Sequence, residues 1–127
     1  MTKPTYTADY KAIENVLLNQ YAAGCIQAKS DVMKPAFHDV ATMYSVNENG
    51  ELQGGAVAES LFPGIDEHFT PSENPTVVIG FINITGTAAS ARVDGDNISG
   101  YGFTDYFHLL KINGKWTIVS KIFHGHY

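Results

Sequence analysis

The chain has 127 residues, with eight Lys or Arg against thirteen Asp or Glu, and a formal net charge of -5. That length suits one domain, residues 1–127, and leaves little room for two. The acidic balance, with its basic residues scattered, argues against nucleic acid and against an anionic membrane surface, since both need a surplus of Lys and Arg.

In chain order, residues 1–6 read as a loose tail. MTKPTYTADY has no apolar signal-peptide core, and no stretch approaches a membrane span, so a cytoplasmic protein is expected. Thr7 can cap a helix starting at Ala8. Tyr10, Ile13, Val16, Leu17 and Tyr21 then recur at helical spacing to about Lys29. Cys25 is the single cysteine; its neighbours Ala22, Ala23, Gly24 and Ile26 mark it as a small buried hydrophobe, and no internal disulfide exists. Ser30 starts a second, short helix carrying Met33, Phe37 and Val40 on one face, shortened by Pro35. Ala41 to Val46 is a strand, turned by Asn47-Glu48-Asn49-Gly50 into a short return strand at Glu51 to Gln53. Gly54-Gly55 opens a helical pattern through Val57, Leu61, Phe62 and Ile65, which Pro63-Gly64 weakens.

Beyond the polar loop from Pro71 to Pro75 the chain reads as strands. These are Thr76 to Thr85, Ala88 to Val93, Tyr101 to Ile112 and Lys115 to His124, with Asp94 to Asn97 as a turn or loose loop and Asn113-Gly114 as a hairpin turn. Helices first and strands last predict an α+β fold, with helices on one face of a curved sheet.

The element order resembles the nuclear transport factor 2-like superfamily. Ala36-Phe37-His38-Asp39-Val40-Ala41-Thr42-Met43-Tyr44 looks like the segment entering the first strand in its lumazine-binding-like, or polyketide-cyclase-like (SnoaL-like), branch. Asn49-Gly50-Glu51-Leu52 with Gly54-Gly55 resembles its hairpin and helix entry, and Thr104 to Val119 its final hairpin. The resemblance spans nearly the whole chain. It implies a cystatin-like α+β cone, with a curved sheet around the N-terminal helices. It does not choose a function, because the superfamily holds isomerases, dehydratases, cyclases and carriers.

Asp105 lies in a strand otherwise made of Phe, Tyr and Leu. Alternation puts Phe103, Asp105, Phe107 and Leu109 on one face and Thr104, Tyr106, His108 and Leu110 on the other, and either could be the inner one. A carboxyl among aromatics has a raised pKa and suits a general acid or base; isomerases of the superfamily place an acidic residue in such a pocket. His38, at the end of the short helix, would be its acid–base partner across the mouth of the cone. Tyr21, Tyr44 and Tyr106 are candidate pocket residues, each offering an apolar ring and one hydroxyl. His108, Phe123 and His124 join them as candidate ligand contacts. His124 and His126 lie on one strand face but lack a third ligand, so no metal is assigned. His126 and Tyr127 read as a frayed terminus, and His68 as a surface residue. Phosphate loops, the Gly-x-Ser-x-Gly elbow and His-Glu-x-x-His are absent, and no lysine sits in an apolar strand centre suited to Schiff-base work.

These readings support three functions, none with a cofactor. The first is a small-molecule-binding protein with an aromatic pocket. The second is an acid–base lyase or isomerase for a cyclic or aromatic substrate, with Asp105, His38 and a tyrosine as its machinery. The third is an interaction module that pairs as a homodimer through the outer sheet face.

Overall fold

The structure, a computed structural model, describes residues 6–126. Of the expected tail only Tyr6 lies within it, and that residue packs against the core; the reading of Tyr127 lies outside the described residues. A continuous helical segment opens the fold: α1 (Thr7–Glu14), a π-helical stretch (Asn15–Ala22) and α2 (Ala23–Gln27). It starts at Thr7 without a side-chain cap and stops where Ala28 turns left-handed, at φ 58°. Ile13, Val16, Leu17, Tyr21 and Cys25 form its buried face, as the helical spacing predicts, whereas Tyr10 of the same pattern is 41% exposed. The π-helical stretch is unforeseen, and it carries Tyr21.

The second helix is short, as Pro35 implies, but it ends before Phe37 instead of carrying Phe37 and Val40. α3 (Ser30–Met33) passes through a 3₁₀ turn (Lys34–Ala36), with Pro35 in its first positions, directly into β1 (Phe37–Val46). Phe37, His38 and Val40 are therefore strand residues, and His38 caps no helix. β2 (Leu52–Ala56) also runs further than expected, and Gly54-Gly55 belongs to it. The helix α4 (Val57–His68) begins after it and continues through Pro63. β3 (Thr76–Thr85) matches expectation, whereas β4 (Ala88–Ile98) continues through Asp94 to Asn97, with its register against β5 shifted between Gly95 and Ile98 and Asn97 at φ 56°. The chain instead reverses at Ser99-Gly100, where both residues have positive φ. β5 (Tyr101–Ile112) and β6 (Lys115–Gly125) are joined by Asn113-Gly114 with φ of 49° and 79°, the pair of left-handed residues a type I′ turn requires.

The six strands form one sheet in the order β2-β1-β6-β5-β4-β3. Only β1 and β6 pair in parallel; the other neighbours are antiparallel. The helices cover the concave face and bury Ile13, Leu17, Tyr21, Met33 and Ile65 against Phe107, Leu109 and Ile118. Apolar residues remain on the outer face, including Val78, Phe81, Tyr106, Leu110 and Ile122. No helix among the described residues is long and apolar enough to cross a membrane.

Two irregularities decide what faces inward. In the β5–β6 ladder His108 pairs with Ser120 while Leu109 pairs with Ile118, so Val119 is an extra residue on β6. Trp116 and Ile118 point inward before this bulge, and Lys121 and Phe123 after it. At the other edge, Gly54 lies at φ 129° against the backbone of Met43 and Tyr44, and a Cβ there would collide with the Met43 carbonyl oxygen. Gly54→Ala is expected to cost about 1–3 kcal/mol from the backbone conformation alone, read as a lower urea midpoint. An unchanged midpoint would contradict the close approach.

Candidate functional site

A pocket of about 460 Å³ opens between α4, the C-terminal end of the long helical segment and the concave sheet face. Its volume lies in the range of small-molecule sites. Met43, Leu61, Ile65, Phe103 and Phe123 form much of its wall, and His68, Phe69 and Tyr101 also border it. The Phe69 and Tyr101 rings lie 5.4 Å apart.

The pocket's buried charge is Lys121, a residue sequence reasoning passed over. It is only 4% exposed, yet it borders the cavity. Its Nζ lies 3.5 Å from Asp105 Oδ1 and 3.6 Å from Met43 Sδ. It also sits 5.1 Å from the Tyr21 ring centre and 4.7 Å from that of Phe123, so two aromatic faces share the cation with the carboxylate. The expectation that no lysine occupies an apolar strand centre is overturned, and the bulge at Val119 is the reason.

Asp105 is fully buried behind Lys121, on the inner face with Phe103, Phe107 and Leu109. The structure thus decides between the two faces that alternation left open. Tyr21, also buried, donates its hydroxyl hydrogen bond to Asp105 Oδ2 at 2.6 Å, and its ring packs edge-on against Phe107 at 4.9 Å. Asp105 Oδ1 has no hydrogen-bond partner among the described residues and lies 3.5 Å from the ammonium. Burial raises the Asp105 carboxyl above its usual range, opposed by the Lys121 charge and the Tyr21 hydrogen bond. Burial also raises the Tyr21 phenol well above its ordinary value, helped by the neighbouring Asp105. The Cys25 thiol, buried on the same pocket wall, is pushed up to about 12, mainly by burial; it is a packed hydrophobe rather than a nucleophile.

The other expected site residues fall elsewhere. His38 lies in the irregular start of β1, where its Nδ1 accepts a hydrogen bond from the Val40 amide, and it does not line this pocket. The proposed Asp105–His38 pair does not form, because the strand starts earlier than the helical reading allowed. Tyr44 alternates with the pocket residue Met43 and so faces outward. Tyr106 and His108 are exposed on the outer face of β5, with Tyr106 beside Arg92 and 6.4 Å from Phe81. His124, paired with Thr104, is exposed on that face next to His126, their ring centres 5.2 Å apart. These four do not line the pocket. Tyr21 and Phe123 do. His68 is exposed, as expected, but it borders the pocket. His126 is held rather than frayed, its amide donating to the Gly102 carbonyl and its Nε2 lying 2.9 Å from Thr104 Oγ1. Among the described residues no three His, Cys, Asp or Glu side chains converge as metal ligands.

A buried amine, a carboxylate of raised pKa and a phenol, grouped beside an apolar cavity, can bind and polarise a carbonyl and move protons next to it. Comparison with known proteins gives the chain a family. The profile of the family described as "putative lumazine-binding" matches residues 8–124. A curated relative, aldolase FrzH of a Cladobotryum species, is 31% identical over 108 residues, 84% of this chain and 83% of its own. A crystal structure of an NTF2-like protein of unknown function from Shewanella baltica OS155 is 48% identical, with a TM-score of 0.94 over 98% of this chain and 99% of its own. Another, from Methylobacillus flagellatus KT, is 34% identical with a TM-score of 0.88, over 100% of this chain and 99% of its own. The chain therefore belongs to the "putative lumazine-binding" family, a lumazine-binding-like branch of the nuclear transport factor 2-like superfamily.

Proposed function

We propose that this protein is a cofactor-free enzyme acting on a small, ring-bearing carbonyl compound, making or breaking the carbon–carbon bond beside the carbonyl. The observation that carries the reading is the Lys121 ammonium, paired with a buried Asp105, on the wall of an otherwise apolar cavity. Such a charge is costly to bury and is common where chemistry needs it. The aromatic and aliphatic walls suit a ring, and the ammonium suits a carbonyl oxygen or the negative charge that develops on it. The aldolase relative supports this reaction class over dehydration or simple isomerisation.

In this mechanism the substrate enters past His68, Phe69 and Tyr101 and turns its carbonyl toward Lys121. Removal of a proton from the adjacent carbon, or cleavage of the bond next to it, builds enolate character that the cation stabilises. Tyr21 fixes the Asp105 carboxylate through Oδ2, leaving Oδ1 to face Lys121. The test is exchange of α-hydrogens for deuterium in cyclic and aryl ketones, followed by proton NMR, with ligand-induced rises in Tm as the binding control. Exchange above buffer supports the reading. Rises in Tm without exchange would leave a binding protein, and neither response would overturn the pocket assignment altogether.

A second copy of the chain is the proposed partner for the outer sheet face. The registers set Phe81, Arg92, Tyr106 and Ile122 in one row across β3, β4, β5 and β6, with the three apolar members 43%, 40% and 53% exposed. A row of this kind is unusual on a lone chain's surface. Light scattering at micromolar concentration is expected to give a dimer, and Ile122→Lys a monomer of unchanged fold. A monomeric parent protein would end this proposal.

A further inference from the structure

We infer that Lys121 acts as a covalent catalyst, its Nζ condensing with the substrate carbonyl to form an iminium ion, with Asp105 carrying the proton out and back. This rests on the carbonyl-substrate reading above and deepens it. Three features of the site point the same way. Lys121 reaches the cavity from a buried position between the Tyr21 and Phe123 rings, which shield it from water and fix its direction. Asp105 Oδ1, wholly buried and without a hydrogen-bond partner among the described residues, lies 3.5 Å from the ammonium, so it is the available acceptor for the proton the amine must lose. The other carboxylate oxygen is already committed to Tyr21 at 2.6 Å, which leaves Oδ1 as the oxygen facing the reaction.

The step balances without an added reagent. Lys121 passes one ammonium proton to Asp105 Oδ1, and the freed lone pair forms the Nζ–carbon bond as the carbonyl π bond opens onto oxygen. A second proton moves from nitrogen to that oxygen, giving the neutral carbinolamine. Asp105 returns its proton to the hydroxyl, the carbon–oxygen bond breaks, and water leaves. The product is a cationic iminium opposite a carboxylate, so the charge pair of the resting site is restored in the same low-dielectric place. A site that already balances a cation there needs little rearrangement to hold the iminium. The iminium then serves as the electron sink for the neighbouring carbon. Burial also favours the protonated form of Asp105, in keeping with its turn as proton carrier.

The test uses the full chain with cyclohexanone and sodium cyanoborohydride, and separately with acetylacetone, whose lysine adduct absorbs in the near ultraviolet. One reduced cyclohexyl adduct is expected, mapped by peptide mass spectrometry to Lys121 ahead of exposed lysines such as Lys29 and Lys115. Asp105→Asn is expected to slow adduct formation on the order of a hundredfold while the variant still folds by circular dichroism. Should Asp105→Asn fail to fold, Tyr21→Phe replaces it, with an expected slowing of about tenfold. Labelling spread over surface lysines in proportion to their exposure, or no labelling, overturns the inference. An adduct at Lys121 without any α-hydrogen exchange would sink the reaction class proposed above and leave this inference standing. Exchange that persists with no adduct would do the reverse.

Discussion

Asp105→Asn and Lys121→Met are each expected to destabilise the protein by about 3–5 kcal/mol at neutral pH, and in Lys121→Met the loss depends on pH. Each variant leaves one member of the pair buried and unpaired among Tyr21, Phe107 and Phe123. The carboxyl stranded in Lys121→Met escapes its cost by taking up a proton. Its pKa is already raised by burial, and removing the ammonium removes an opposing influence. The folded state then binds a proton more tightly than the unfolded chain, so stability is greatest at mildly acidic pH and falls as pH rises from the ordinary carboxylate range toward the folded value. In Asp105→Asn the stranded group is the Lys121 ammonium, left without its carboxylate between the Tyr21 and Phe123 rings. The amide introduced by Asp105→Asn keeps an acceptor for the Tyr21 hydroxyl, which confines the difference to charge. The double variant buries neither charge and is expected to recover about 1–3 kcal/mol relative to the sum of the singles. Urea titrations of the four proteins at mildly acidic and mildly alkaline pH read all of this. A Lys121→Met protein whose stability did not fall as pH rises would mean that the pair does not hold its charges in the folded state.

That pair also measures what the sequence discloses. The Asn113-Gly114 hairpin, the apolar face of the N-terminal helix and the strand Thr76–Thr85 follow from local chemistry and are where the pattern puts them. Local signals fail where packing overrules them. Asp94 to Asn97 carries turn residues, yet it continues β4, with Phe103 packed against Gly95. Val40 fits a helical face after Ser30, but Pro35 ends that helix and releases Phe37 into a strand. This displacement moved His38 away from Asp105. Lys121 was hidden for a different reason. Alternation counted forward from Trp116 and Ile118 places Ser120 inside and Lys121 outside, and the extra residue Val119 reverses the result. The same alternation counted backward from Phe123 would have found it, because a pocket residue at 123 puts 121 on its own face. Tyr21, by contrast, could be named as a pocket residue but not as the partner of Asp105, since that contact joins residues 84 apart through helix-on-sheet packing.

The other large effect concerns catalysis. Lys121→Arg is expected to lower α-hydrogen exchange on cyclic ketones by at least about a thousandfold while leaving the fold intact. Arginine keeps a permanent positive charge and can pair with Asp105, so the electrostatic environment of the pocket is largely preserved. Its guanidinium stays protonated and cannot condense with a carbonyl. If the lysine acted only as a cation steadying an enolate oxygen, the substitution would retain activity to within about tenfold. Comparison with Tyr21→Phe separates the covalent role from the positioning role. Loss of that hydroxyl frees Asp105 Oδ2 and should slow the reaction on the order of tenfold to a hundredfold, with a shifted pH profile, because the carboxylate remains but its orientation and proton affinity change. A deep loss with arginine and a shallower, pH-shifted loss with phenylalanine would assign nucleophile and positioning residue separately. Equal losses would instead mean that Lys121 and Tyr21 serve the pocket's structure together, because a common packing defect has no reason to move a pH profile in one variant and not in the other.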